Sequence, residues 1–84
     1  MASVKVYGAD WCLMTKRALA HLDQLGVQYE YIDIDDDREA AGWVAAQNDG
    51  KEKKPTIDID GQVLSEPSPR ALHEALQAKG LLTR

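Results

Sequence analysis

Cys12 is the only cysteine in a chain of 84 residues, and its neighbours are of the kinds that make a thiol reactive. It stands in Tyr7-Gly8-Ala9-Asp10-Trp11-Cys12-Leu13-Met14-Thr15-Lys16-Arg17, where a β-branched and aromatic run, Val4-Lys5-Val6-Tyr7, breaks at Gly8 and gives way to a helix-compatible pattern. The order is strand, loop, cysteine, helix. The first N–H groups of a helix have no intrahelical partner, and the macrodipole puts about half a positive charge at that end, so a thiolate is favoured there. Cysteines so placed fall to pKa values of about 3.5–7.5, against about 8.5 when free. A drop of about two units corresponds to roughly 2.7 kcal/mol of preference for the anion. The chemistry this offers is nucleophilic: a thiolate attacks a disulfide sulfur in line and leaves a mixed disulfide. The plainer alternative is a buried cysteine acting as a small hydrophobe. It sits poorly with the glycine-containing loop before Cys12 and with Lys16 and Arg17 one turn after it.

The residues around the sulfur can be assigned tasks in the same way. Thr15 lies one helical turn on, where its hydroxyl can donate to the Cys12 thiolate or bond back to its own helix. Trp11 is expected to cover one side of the sulfur and limit solvent, or simply to pack the loop. Asp10 works against ionisation, since a nearby carboxylate raises a thiol pKa. Lys51, Lys53 and Lys54, together with Lys16 and Arg17, would give the sulfur a positive field if the two groups converge. His21 and His73 lie far along their helices in no spacing that suggests a catalytic pair or a metal site. Asp33, Asp35 and Asp37 are spaced like calcium-loop ligands, but that motif's central glycine and closing glutamate are missing. A capped helix start explains these acids better.

The elements that must position these residues follow from pattern. Residues 3–7 alternate as a strand, and Leu13, Ala18, Leu19, Leu22 and Leu25 mark the buried face of a helix that Gly26 stops. Val27 to Ile34 reads as a second strand, which a right-handed βαβ unit makes parallel to the first. Asp36 or Asp37 caps a helix from Arg38 to about Asn48, with Trp43 as its partly buried anchor, and a polar loop runs on to Lys54. Pro55 to Ile59 and Gln62 to Leu64 form an antiparallel hairpin about Asp60-Gly61, a pair that tolerates positive φ. Ser68-Pro69 starts a last helix that ends at Gly80, and Leu81 and Leu82 tuck against the body. Pro55 at the head of its strand removes a ladder donor, which confines it to an edge, a strand start or a special role.

Composition narrows the function classes. With 44% hydrophobic and 29% charged residues, the chain reads as one ordinary globular domain spanning 1–84. A net charge of −4 and a pI near 5.0 make nucleic acid and anionic membranes poor partners. No apolar run approaches the roughly 20 residues that span a bilayer. Met1-Ala2-Ser3-Val4 leads directly into a strand, and a lone cysteine suits a reducing compartment, so a cytoplasmic location is expected.

On Cys12 with its strand, loop and helix, on Lys54-Pro55-Thr56 and on Leu64-Ser65-Glu66-Pro67-Ser68, the chain resembles a glutaredoxin of the thioredoxin-fold superfamily, of the mycoredoxin-like type found in actinobacteria. The resemblance covers almost the whole chain. It implies an α/β, thioredoxin-like fold, β-α-β-α-β-β-α, with a four-stranded mixed sheet in the order 2-1-3-4 flanked by three helices. The activity it implies is thiol–disulfide exchange, with Cys12 catalytic and Trp11, Thr15 and Pro55 supporting it. The Lys54–Pro55 bond would be cis and lie against the sulfur. Lys54, Pro55 and Thr56 would pair with the backbone of a small thiol, while the Ser65-Glu66 turn, with Ser68 at a helix N-terminus, would receive its anionic end.

Two departures bear on the chemistry. Those families usually carry Cys-x-x-Cys, and here the fourth position is Thr15, so the site reads as monothiol and a second molecule must resolve the mixed disulfide. That molecule would be a low-molecular-weight thiol, glutathione or mycothiol, with no metal expected. The usual Gly-Gly-x-x-Asp is replaced by Leu-Ser-Glu-Pro-Ser, which weakens the case for glutathione in particular. The expected partners are protein or small-molecule disulfides, and the expected state is a monomer, with a dimer through Cys12 left open. Other readings are an iron–sulfur cluster carrier, although Leu13-Met14-Thr15 is bulkier than the usual Gly-Phe-Ser; a thioredoxin-fold binding module with an idle Cys12; and a chain in which Thr15 replaces a resolving cysteine to trap the intermediate.

Overall fold

A computed structural model describes residues 3–82. The elements run β1 (Val4–Gly8), α1 (Leu13–Leu25), β2 (Glu30–Asp33), α2 (Arg38–Gln47), β3 (Thr56–Ile59), β4 (Gln62–Ser65) and α3 (Pro69–Ala78). The sheet order is β2-β1-β3-β4, with β2 parallel to β1 and the other two pairings antiparallel. This is the architecture the resemblance implied.

Alternation along β1 divides the molecule into layers. Val4 and Val6 point to one face, where they join Leu22 of α1, Ile57 and Ile59 of β3, and Leu72, Ala75 and Leu76 of α3 in the main core. Leu81 and Leu82 pack against that core, as the sequence suggested. Tyr7 points to the other face, where α2 contributes Ala41 and Val44 to a smaller cluster with Ile34. Trp43 anchors this helix by stacking on Tyr7, ring centroids 4.7 Å apart.

Local signals account for most element ends. Asp37 accepts from the Ala40 N–H as the cap of α2, and Ser68 does the same for Ala71 at the head of α3, with Pro69 in the first turn. Asp60 and Gly61 both take positive φ, 51° and 97°, in the hairpin turn. Asp33 Oδ1 accepts from the Asp35 N–H, so two acids of the supposed calcium pattern serve the turn and the cap instead.

Three expectations need correction. The second strand starts at Glu30, not Val27, because the Val27 N–H is used by the Leu22 carbonyl to close α1 around Gly26. Gly8 belongs to β1 and pairs with Asp33 instead of breaking the strand. Leu13 is 58% exposed, and the residue of the first turn that turns inward is Thr15, at 1% exposure. The turn overhangs the end of β1, so the buried stripe runs through Thr15, Ala18, Leu19 and Leu22, while Leu13 faces out.

Candidate active site

Gly8 and Thr15 decide where the first turn of α1 sits. A methyl at Gly8 would overlap both Cγ2 and Oγ1 of Thr15, so the close approach of helix to strand requires glycine. From there the chain turns through Ala9 to Trp11, closed by the Cys12 N–H on the Ala9 carbonyl at 3.1 Å. Cys12 then occupies the N-cap of α1 in extended backbone (φ −84°, ψ 117°), and its side chain makes no capping bond in the thiol form. At this position the sulfur faces the free N–H groups of the first turn.

The opposing wall is the loop before β3. The Lys54–Pro55 bond is cis. The Cys12 thiol points its proton at the Lys54 carbonyl with Sγ 3.9 Å from the oxygen, a long contact that ionisation would release. Burial pushes the thiol pKa up, but the Thr15 hydroxyl, the N–H groups of Thr15 and Met14, and the Lys54 ammonium outweigh it and leave the thiol below its ordinary value. Thr15 Oγ1 is buried and has no hydrogen-bond partner of ordinary geometry, which excludes bonding back to its helix and leaves it available to a thiolate.

Of the five basic residues expected to converge, only Lys54 favours the anion here; Lys16, Arg17, Lys51 and Lys53 have no part in the shift. Asp10, expected to oppose ionisation, instead accepts from the Tyr31 hydroxyl at 2.7 Å. Burial and this bond raise the Tyr31 phenol far above its ordinary value. Trp11 is 67% exposed, its Nε1–H donates to Asp35 at 2.7 Å, and the Lys54 ammonium lies 5.3 Å from its ring centroid.

A polar framework behind this wall was not foreseen from sequence. Asn48, at the C-cap of α2, is buried and donates through Nδ2 to the Val44 carbonyl (2.8 Å) and Thr56 Oγ1 (3.3 Å), while Ser65 Oγ donates to its Oδ1. Thr56 Oγ1 donates to the Lys53 carbonyl at 2.9 Å. Arg38 grips Glu52 through two bonds, 2.8 and 3.2 Å, and its Nη1 reaches the Ile34 carbonyl at 3.1 Å. The Lys54 ammonium donates to the Glu52 carbonyl at 3.2 Å. No periodicity or motif marks Asn48 or Glu52; both sat in what read as a plain polar loop.

The remaining site residues fall into place around Pro55. Thr56 lies inside the sheet, opposite Tyr7 on one side and Ser65 on the other, with its side chain turned inward. That leaves Lys54 as the residue whose backbone faces the sulfur. Glu66 takes a left-handed conformation (φ 46°), and its N–H donates to the Pro55 carbonyl at 2.7 Å, which holds the 65–66 turn over the proline. Ser65, Glu66 and Ser68 are all exposed along that edge. His21 and His73 are half-buried on α1 and α3. Among the described residues, no three His, Cys, Asp or Glu side chains come together as a metal site, and no helix is long and apolar enough to cross a membrane.

Comparison with known proteins agrees with this geometry. A sequence model of the glutaredoxin family matches residues 4–64. The chain is 42% identical to mycoredoxin 1 of Corynebacterium glutamicum over 57 residues, 68% of this chain and 70% of that one. It is 39% identical to a probable glutaredoxin of Synechocystis over 61 residues, 73% of this chain and 69% of the other. Among solved structures, a glutaredoxin from Archaeoglobus fulgidus superposes with a TM-score of 0.80 at 26% identity, covering 92% of this chain and 88% of its own. None of these relatives favours a cluster carrier or an idle binding module.

Proposed function

Since the chain belongs to the glutaredoxin family, as a mycoredoxin-like thiol–disulfide oxidoreductase, we propose that it works by a monothiol cycle in which Cys12 alone attacks and an external small thiol resolves. The observation that carries this is Cys12 at a helix N-cap with Thr15, not a second sulfur, one turn away. In the first step the Cys12 thiolate attacks the small-thiol sulfur of a mixed disulfide. A Cys12–S–S–R bond forms, the S–S bond between R and the substrate protein's cysteine breaks, and the released protein thiolate takes a proton from water. In the second, a further small-thiol anion attacks the R sulfur, giving the symmetrical small-thiol disulfide and restoring the Cys12 thiolate. In net terms the protein sulfur is reduced to a thiol and the one incoming small thiol is oxidised, leaving as a disulfide with the small thiol first carried by the protein.

The residues divide this work as follows. The Met14 and Thr15 N–H groups, the Thr15 hydroxyl and Lys54 hold the anion between turnovers, and so keep Cys12 a good leaving group in the second step. Trp11 and Pro55 shape the entry. The backbone of Lys54 pairs with an amide of the bound thiol, and Thr56 steadies this loop from inside the sheet by donating to the Lys53 carbonyl. Ser65, Glu66 and Ser68 line the edge where the far end of the thiol would lie. The exposed Glu66 carboxylate would repel an anionic end and accept from hydroxyl groups, so a sugar-containing thiol such as mycothiol suits this edge better than glutathione.

The test is turnover of a small mixed disulfide with each thiol in turn. Turnover by the wild-type chain, lost in Cys12→Ser and faster with mycothiol, is expected. Absence of turnover with both thiols would overturn the monothiol cycle, and faster turnover with glutathione would overturn the assignment of the thiol.

A further inference from the structure

Outside the machinery described above, a cavity opens on α1 with Met14, two residues after Cys12, in its wall. It has a volume of about 120 Å³ and lies in the seam between α1 and the start of α3. Met14, Arg17, Ala18 and His21 form its α1 wall; Pro67, Pro69 and Leu72 form the other. Glu66 and Ser68, assigned to the small thiol, are not part of its lining, although they alternate along the chain with the two prolines that are. The seam is therefore a neighbour of the thiol edge and separate from it.

Its chemistry is specific. Most of the lining is apolar, yet His21 Nε2 is buried with no hydrogen-bond partner. A buried ring nitrogen left unpaired costs free energy comparable to a lost hydrogen bond, unless a ligand satisfies it. Arg17 is exposed and pairs with no carboxylate among the described residues. Arg17 and His21 are four apart on one helix, so both project along the same face and can donate to a single carboxylate. No acidic residue lines the cavity of this otherwise acidic chain, which carries a net charge of −4. The rim is rigid, because Pro67 and Pro69 flank Ser68, whose Oγ is already committed to the Ala71 N–H. Met14 is 44% exposed and stands two residues from Cys12, so the groove opens close to where the substrate disulfide must lie.

We propose that this groove seats the protein half of the substrate: an apolar side chain near the disulfide-bonded cysteine, with an adjacent carboxylate held by Arg17 and His21. This rests on the monothiol reading, in which the small thiol occupies the Lys54 and Ser65–Ser68 edge and leaves the seam for the polypeptide. Apolar burial supplies attraction, and the two donors select sign. Acidic segments with a Leu or similar side chain are thus preferred over basic ones.

The experiment uses short peptides whose single cysteine carries a small-thiol cap, flanked by Leu-Glu, Leu-Lys or Ser-Glu, together with a peptide-free mixed disulfide as reference. The Leu-Glu peptide is expected to exceed Leu-Lys by about tenfold in kcat/KM, the order of a charge-assisted pair. Arg17→Gln and His21→Gln should each shrink that ratio. Ala18→Leu, which fills the groove, should erase the preference for Leu-Glu over Ser-Glu. All three should turn over the peptide-free disulfide at the wild-type rate. Calorimetric titration of the same peptides with serine in place of cysteine reads docking without exchange, so failure of the redox cycle would be seen separately as loss of turnover on every substrate. Equal rates and equal affinities for all three peptides would overturn the proposal, as would a preference that survives both Arg17→Gln and Ala18→Leu. A preference that follows the identity of the cap and not the peptide would overturn it too, assigning the groove to the small thiol.

Discussion

Two segments meet at the sulfur, and they are held by different physics. The segment from Gly8 to Thr15 is placed by contact: a helix turn lies against the end of a strand with room for a hydrogen atom and nothing larger. The segment from Asn48 to Thr56 is placed by polar bonds to Asn48 and by the Arg38–Glu52 pair. Packing tolerates little displacement, whereas a hydrogen-bonded loop can shift by exchanging partners with water. The sulfur is thus presented by a stiff wall and faced by a more adjustable one, an arrangement suited to accepting substrates of different shape without losing the thiolate.

The contrast can be broken from either side. The largest effect is expected for Gly8→Ala, which forces Thr15 away from the strand; overpacking of this kind sits at the upper end of about 1–3 kcal/mol. Thermal denaturation should show the loss, and Cys12 alkylation in the surviving folded fraction should titrate at higher pH. If Gly8→Ala melts like the wild type, the first turn is not wedged as described.

Asn48→Ala comes next. It strips Ser65 Oγ and Thr56 Oγ1 of a shared partner and should cost about 1–2 kcal/mol. For a domain of this size each kcal/mol lowers Tm by roughly 4–8 °C. The distinguishing outcome is kinetic: KM for the small thiol should rise while the alkylation profile of Cys12 stays put, because the helix wall is untouched. A shifted alkylation profile would show that the two segments are not independent.

Thr15→Val is the subtlest. It keeps the shape and removes a buried hydroxyl that lacks a partner in the thiol form, so stability at low pH should hold or improve. The Cys12 pKa is depressed in the folded state, so the thiolate adds stability that is full above the pKa of the unfolded thiol and fades as pH falls through the folded value. The variant raises the folded value and narrows that window. Relative to wild type it should therefore lose ground as pH rises, measured by denaturant titration across pH, and its alkylation should need more alkaline solution.

The same division explains what could be read from sequence. Features carried by neighbours along the chain were visible in advance: the Asp60-Gly61 turn, the Ser68-Pro69 helix start, the Gly26 stop and the cysteine at a helix head. Leu13 was misplaced because its spacing fits the apolar stripe while the first turn overhangs the strand. Val27 read as strand because its composition suits one, although its N–H closes the preceding helix. Asn48, Arg38 and Glu52 were invisible as a group, since the bonds linking them to Thr56, Ser65 and each other cross 8 to 17 residues of sequence with no periodic trace.

The two tryptophans differ in a way that has a practical use. Trp43 lies stacked on Tyr7 on the far side of the sheet, while Trp11 stands next to the cysteine and is 67% exposed. Iodide or acrylamide should therefore quench the fluorescence of Trp11 first, and a Trp43→Phe chain would emit from the catalytic end alone. Occupancy of the cleft could then be followed in real time by light, without a label.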